Sequence, residues 1–409
     1  MYKKLQILFK GGFVRNVGIL VGGTAFSQLI TISALPILTR LYTPEDFSVL
    51  AVYTAILSLI TVVVCLRFNI AIALPKDDVK AKNLLVLSLL SVLLITVLSI
   101  ILIVLLSTWI HKITQNRLIG YLWMLPFGAF LSGICVSFQY WSTREKKFKL
   151  ITKSKMTQAL SGTSTQIGFG YFGFTPVGLL IGQILNVGAG TILLVKDFRK
   201  NNKNVIKQLN KKDLKETFKE YDKFPKYSTF EGLANSATVQ VPILLIASYL
   251  AGPEVGYIML AIRLLAAPMG LIGSAVAQVY LSEAAQKYYN GSLSAFTNKT
   301  VIALLKVGSP PLIFAGITAP FLVPIIFGEN WSRAGILISW MSPWFLLQFI
   351  SSPVSMVLHI TGNQKLAFLL QLLGLLVRGG GVLLAGLFMQ AYIGEIFAIT
   401  GAIFYLIYL

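Results

Sequence analysis

The sequence predicts an all-α polytopic membrane protein, and three observations carry that prediction. Of its 409 residues 56% are hydrophobic and only 12% are charged, against roughly 25% charged in a soluble domain. Apolar runs of about 20 residues, the length a helix needs to cross a bilayer, recur from one end of the chain to the other. The short alternating segments of a membrane β-barrel are not the pattern here. Third, the basic residues collect in alternate loops, which is how multi-pass proteins are oriented.

The spans follow in order. Met1–Gly12 sets Lys3, Lys4 and Lys10 among Leu5, Ile7, Leu8 and Phe9, as an interfacial helix would. Span 1 covers 14–39 and ends at Arg40. The Pro44-Glu45 turn then starts span 2, 47–74. A basic loop, Lys76 to Lys82, leads into span 3 at 83–108, and span 4 takes 118–142. Spans 5 and 6, at 155–172 and 176–195, are joined by the minimal turn Gly173–Thr175. After a long basic loop come spans 7 and 8, at 228–250 and 255–281, around Gly252–Glu254. Spans 9 to 12 fill 300–326, 333–360, 366–389 and 393–409.

With these spans, 27 basic residues fall on the side of the N-terminus and even-numbered loops, against four (Arg40, Lys112, Arg117, Arg333) on the other. That split predicts both termini in the cytoplasm. It also explains the net charge of +20 without nucleic acid. The loop 196–227, with eleven basic and five acidic residues, divides the chain into an N-terminal six-helix bundle (1–195) and a C-terminal one (228–409). Within the loop Leu214, Phe218 and Tyr221 share a helical face, expected to lie on the anionic inner leaflet. Cys65 and Cys135 sit inside spans without metal-ligand spacing and read as small packing residues. His111 and His359 are far apart and form no metal pattern either.

The two halves carry a faint repeat. LYTPEDFSVL from Leu41 and LAGPEVGYIM from Leu250 align Leu41 with Leu250, Pro44 with Pro253 and Glu45 with Glu254. Both stretches follow the first span of their half, so the halves form a parallel repeat, and such transporters bind substrate near the midplane.

Arg67, Arg263 and Arg378 lie inside apolar spans, where a charge near a helix centre costs at least ~2.5–3.5 kcal/mol. Arginine binds phosphate oxygens through a planar fork and keeps its charge when buried. The anionic cargo of a transporter would use both properties. Arg378 is deepest, about 18 Å along its helix from the start of span 11, with Gln371 two turns away on the same face. Arg263 lies about 12 Å into span 8. Arg67 is close enough to the end of span 2 to serve as cavity residue or interfacial anchor, Lys306 reads as an anchor, and Arg40 is a candidate guard at a cavity mouth. Gln28, Gln158 and Gln240, with Asn69, Gln139, Gln166, Gln183, Asn235 and Gln278, are candidates for the polar lining of such a path. Glu231 is a candidate for ion coupling, although capping of span 7 is the stronger reading of its position. The loops on the less basic side do not exceed about ten residues, too short for the catalytic domain of a membrane polymerase or ligase.

The segment Ile37 to Pro75 resembles the N-terminal signature of the polysaccharide repeat-unit flippases (Wzx-type) of the multidrug/oligosaccharidyl-lipid/polysaccharide (MOP) exporter superfamily. The resemblance rests on Arg40-Leu41, the turn Pro44-Glu45-Asp46-Phe47, Tyr53 and the Lys76 to Lys82 loop. It implies a V-shaped pair of bundles with a cationic central cavity. It also implies a non-enzymatic flippase that carries undecaprenyl-pyrophosphate-linked oligosaccharide across the bacterial inner membrane for O-antigen, capsule or exopolysaccharide synthesis. Polymerase and chain-length regulator proteins would be its partners beside membrane lipids. No cofactor is implied, and coupling to a proton or sodium gradient stays open. The drug/cation antiporters of the superfamily often bury an acid in span 1, and none lies in span 1 here.

Overall fold

Inside hydrocarbon the backbone must satisfy its own hydrogen bonds, so open spans have to be helical. A computed structural model describes residues 12–201, 210–361 and 364–409, and among them the regular structure is helical without a strand. All but the last residue of the interfacial segment Met1–Gly12 lies outside the described residues. The helices are α1 (Gly12–Ser33), α2 (Leu35–Leu41), α3 (Pro44–Val63), α4 (Phe68–Ala71), α5 (Asp78–Ile113), α6 (Met124–Arg144), α7 (Phe148–Tyr171) and α8 (Val177–Gly188). They continue as α9 (Thr191–Asn201), α10 (Lys211–Glu220), α11 (Thr229–Tyr249), α12 (Glu254–Tyr289), α13 (Leu293–Phe327), α14 (Ser332–Ile360), α15 (Gln364–Phe388) and α16 (Ile393–Tyr408). The expected spans coincide largely with helix, but span 2 is interrupted at 64–67, span 4 opens with a turn over 118–123, and span 6 is divided at 189–190 between α8 and α9. Nine helical segments among the described residues are long and apolar enough to cross a membrane. At 36 residues, α5 and α12 would be about 54 Å long, well beyond a ~30 Å hydrocarbon core, so their ends extend past it.

The breaks fall where prolines alone would not place them. Helix α13 runs unbroken through Pro310, Pro311, Pro320 and Pro324. Span 2 instead breaks at Leu66 and Arg67, whose φ angles of 46° and 60° lie in the left-handed region, unfavourable for side chains of this size.

The helices pack as two compact units. Unit 1 is Met1–Ala34, Ile56–Ile110 and Leu118–Leu233; unit 2 is Leu35–Ala55, His111–Arg117 and Ala234–Leu409. The end of span 1, the start of span 2 and one short loop therefore belong with the C-terminal spans.

In unit 1, α7 and α8 approach through a reciprocal glycine pair. A Cβ on Gly162 would stand 2.8 Å from the Gly182 carbonyl oxygen, and one on Gly182 2.7 Å from that of Gly162. Small residues give membrane helices this close packing where no hydrophobic force draws them together. The second, fourth and sixth loops converge at one end. Lys80 pairs with Glu220 at 2.7 Å, Arg144 with Asp78 at 2.9 Å and Lys147 with Asp197 at 2.6 Å. The long loop docks there as well. Asn83 donates to Thr217 at 3.1 Å, Leu214 and Tyr221 pack against a buried cluster that includes Phe68, Leu84 and Phe138, and Phe218 meets Phe68 at 5.7 Å. This corrects the expected seating of that face on the leaflet: the apolar side of α10 has a protein surface to cover. Cys65 and Cys135 are buried free thiols in the same unit.

In unit 2 the first, third, seventh, ninth and eleventh loops converge, and the two repeat turns meet. Ser48 Oγ donates to the Gly252 carbonyl at 3.0 Å and accepts from the Gly256 amide at 2.9 Å. A Cβ on Gly256 would come within 2.0 Å of the Pro44 carbonyl oxygen, so only glycine allows the contact. Trp331, 1% exposed, stands edge-on to Phe47 and Tyr257 and donates Nε1–H to the Thr39 carbonyl at 3.1 Å. Arg117 donates to the carbonyls of Leu250 and Gly252; burial lowers the pKa of its guanidinium. Arg333 bridges Glu254 at 2.9 Å and Glu395 at 2.5 Å, tying α14 to α12 and α16.

Arg333→Ala would leave two partly buried carboxylates without their cation. We expect a loss of about 3 kcal/mol, read as a lower Tm of the purified protein, and an unchanged Tm would mean that solvent already neutralises them.

Candidate functional site

Arg378 sits in the middle of α15 and is 1% exposed. Its guanidinium lies over the Trp344 ring from α14, 4.3 Å from the centroid, and 5.2 Å from that of Phe397 on α16. The two rings meet edge to face at 5.1 Å. A desolvated cation–π contact contributes about 2 kcal/mol, which offsets much of the cost of holding the charge at this depth. It leaves the N–H groups unanswered: Nε and Nη2 are buried without a hydrogen-bond acceptor. No carboxylate pairs with Arg378 among the described residues.

The guanidinium borders a cavity of about 240 Å³ within unit 2. Gln371 shares it, as their two-turn separation on one helix face predicts. Asn235 and Thr238 from α11, Gln348 and Ser351 from α14, and Tyr405 and Tyr408 from α16 complete its polar lining. Thr238 Oγ1 also donates to the Gln371 carbonyl at 3.2 Å, fixing α11 against α15. Amides, hydroxyls and aromatic rings around one unpartnered guanidinium give the cavity a charged hydrogen-bond donor and polar walls. The volume suits a phosphate group or one sugar ring, below the ~300 Å³ at which drug-sized pockets begin.

The other candidates are placed differently. Arg263 is half-buried on α12 in unit 2 and Gln240 half-buried on α11, and neither lines the Arg378 cavity. Arg40 is exposed and donates to the Ile325 carbonyl at 3.3 Å, answering the negative end of α13. Arg67, Gln28, Gln158 and Glu231 belong to unit 1. Arg67, at the break in span 2, lays its guanidinium on Gly232, where a Cβ would stand 1.7 Å from Nη2; its Nε is buried without an acceptor. Gln28 is half-buried on α1 with Oε1 unpartnered. Gln158 donates its amide to Cys135 Sγ at 3.0 Å and the Val187 carbonyl at 3.1 Å, which holds α7 in place. Glu231 is exposed in the first turn of α11, and Lys306 is exposed on α13.

Sequence reasoning passed over Lys155. It stands half-buried on α7 and donates to Thr24 Oγ1 of α1 at 3.1 Å, a cation inside unit 1 that loop counting had assigned to solvent. Tyr405 and Tyr408 were missed as well. Their only sequence signal is their spacing near the end of a span, where aromatic residues ordinarily mark the membrane interface.

Comparison with known proteins bears on this geometry. The profile of a family described as polysaccharide biosynthesis protein matches residues 37–335. The chain belongs to that family. The matched stretch takes in the repeat turns, Arg67 and Arg263, and stops short of Arg378. No curated protein matches the sequence. Among solved structures, an inward-facing multidrug resistance MATE family transporter of the MOP superfamily superposes with a TM-score of 0.74 at 14% identity, covering 93% of this chain and 92% of that one. Lipid II flippase MurJ in an inward closed conformation gives 0.74 at 14% identity, with 95% and 86% covered. A Vibrio cholerae MATE transporter gives 0.59 at 11% identity, with 97% and 95% covered. This member of the polysaccharide biosynthesis family therefore has the MOP exporter fold.

Gly232→Val should displace the Arg67 guanidinium and destabilise the protein by about 1–3 kcal/mol. Adding Arg67→Ala should restore most of the Tm by vacating the space; a double variant no more stable than Gly232→Val would refute the contact.

Proposed function

We propose that the protein is a flippase that carries undecaprenyl-pyrophosphate-linked oligosaccharide repeat units across the bacterial inner membrane by alternating access, in the synthesis of a surface polysaccharide. The observation that carries this reading is the unpartnered Arg378 guanidinium in a polar, aromatic cavity of a polysaccharide biosynthesis family member. A pyrophosphate cannot enter hydrocarbon bare, and a fixed guanidinium with free N–H groups replaces its water. Gln371, Asn235, Gln348 and the tyrosines then meet sugar hydroxyls. Arg263, Arg67 and Arg40 are further cationic contacts along the route, with Gln28, Gln158 and Gln240 as polar lining. The halves 1–195 and 228–409, joined by the basic linker 196–227, are the elements that rock. The charge split sets both termini in the cytoplasm. The role is transport, without catalysis or cofactor, beside a polymerase and a chain-length regulator. Energy would come from a proton or sodium gradient, with Glu231 as the candidate acid.

The fold is shared with multidrug transporters, so cation export is the competing reading. A buried cation without a carboxylate repels cationic drugs, which weighs against it.

The test is complementation of a flippase-deficient strain that supplies the matching glycan. Arg378→Ala should abolish surface polysaccharide while the protein still inserts, and Arg378→Lys should rescue it only in part, having lost the planar fork. Normal polysaccharide from the Arg378→Ala cells would sink the proposal.

A further inference from the structure

Unit 1 contains a larger cavity of a different chemistry. Parts of α5, α6 and α9 enclose about 500 Å³. Leu85, Leu89, Phe138 and Phe198 supply apolar wall, and Thr191 is the one uncharged polar residue in the lining. Lys82 and Arg199 complete it. They come from the second and sixth loops, which converge at the basic end of this unit. Their neighbours Lys80, Arg144 and Lys147 each have a carboxylate partner, whereas neither Lys82 nor Arg199 forms an ion pair among the described residues. Helix α5 alongside shows Leu90, Leu93 and Leu94 outward, the face of a helix that meets lipid.

An apolar cavity ending in two unneutralised cations, beside a lipid-facing helix, matches an amphiphile with one anionic head. Basic pockets between membrane helices on the cytoplasmic side bind phosphate headgroups, and an apolar wall beside them favours burial of an acyl chain. We propose that this cavity binds an anionic phospholipid of the surrounding bilayer, its phosphate on Lys82 and Arg199 and one acyl chain against Leu85, Leu89, Phe138 and Phe198. The lining favours a plain phospholipid over the lipid-linked glycan, because Thr191 alone could answer sugar hydroxyls. A lipid seated here would join three helices and both loops at this end, and is independent of cargo binding at Arg378.

Native mass spectrometry of the full-length protein in detergent tests this directly. Phosphatidylglycerol should form adducts at about tenfold lower concentration than phosphatidylcholine. Inorganic phosphate should fail to displace it, and so should undecaprenyl phosphate at equal concentration. Lys82→Gln with Arg199→Gln should weaken phosphatidylglycerol binding about tenfold and leave phosphatidylcholine unchanged. Leu89→Trp, which fills the cavity but keeps both cations, should weaken phosphatidylglycerol binding as well, and Arg378→Ala should leave it intact. Equal binding of the two phospholipids by the unaltered protein would overturn the proposal without recourse to any variant. Displacement by inorganic phosphate would reduce the site to an anion site, displacement by undecaprenyl phosphate would reassign it to the cargo, and either would overturn it too. Undiminished phosphatidylglycerol binding in both cavity variants would place the lipid elsewhere.

Discussion

A guanidinium held against the protein has to be answered by something, and six arginines here are answered in four ways. Arg333 has two carboxylates. Arg40, Arg117 and Arg144 have carbonyl oxygens at helix ends and turns. Arg67 lies against a helix that offers a glycine for it. Arg378 has the faces of Trp344 and Phe397, which steady the charge and accept none of its directed hydrogen bonds. The first two arrangements close the valence of the cation and so build structure. The last keeps a charged donor set free in a cavity, the state a receptor for anions requires.

The repeat turns serve a second constraint. Helix starts carry unanswered N–H groups, and short loops leave little chain with which to cap them. Here the start of α12 takes the Ser48 hydroxyl for its Gly256 amide, so the turn after span 1 caps the turn after span 7. Pro44 and Gly256 approach so closely that the second copy has glycine where the first has Phe47. The divergence of the repeat at that position is thus a packing requirement.

Much of the fold was legible because hydrocarbon imposes a simple rule. A run of about 20 apolar residues has to be largely helix, and each expected span is mainly helical. The Arg378 and Gln371 pairing was legible for a related reason, since seven residues on a helix return to the same face. The break at Leu66-Arg67 was not legible: the sequence there has no proline, and the left-handed pair accompanies the seating of Arg67 on Gly232, a residue far along the chain. The position of α10 was misread because amphipathicity shows that a face must be covered and says nothing about what covers it. The direction of the Gln158 amide, which donates to Cys135 and to the Val187 carbonyl, was illegible for the same reason.

By itself the sequence determined the class of the protein, the number and order of its spans, the clustering of charge in alternate loops and the depth of Arg378. These depend on length, composition and local periodicity, which act within one helix. Only the tertiary structure decided which arginines are neutralised and which stay free, that Tyr405, Tyr408 and Asn235 join Gln371 around one of them, and that Lys82 and Arg199 meet at a second cavity. Those outcomes depend on packing between residues far apart in the chain, more than a hundred positions in the case of Lys82 and Arg199. Their energies are set by the acceptors or rings a neighbouring helix brings within a few ångströms, and no local pattern encodes that.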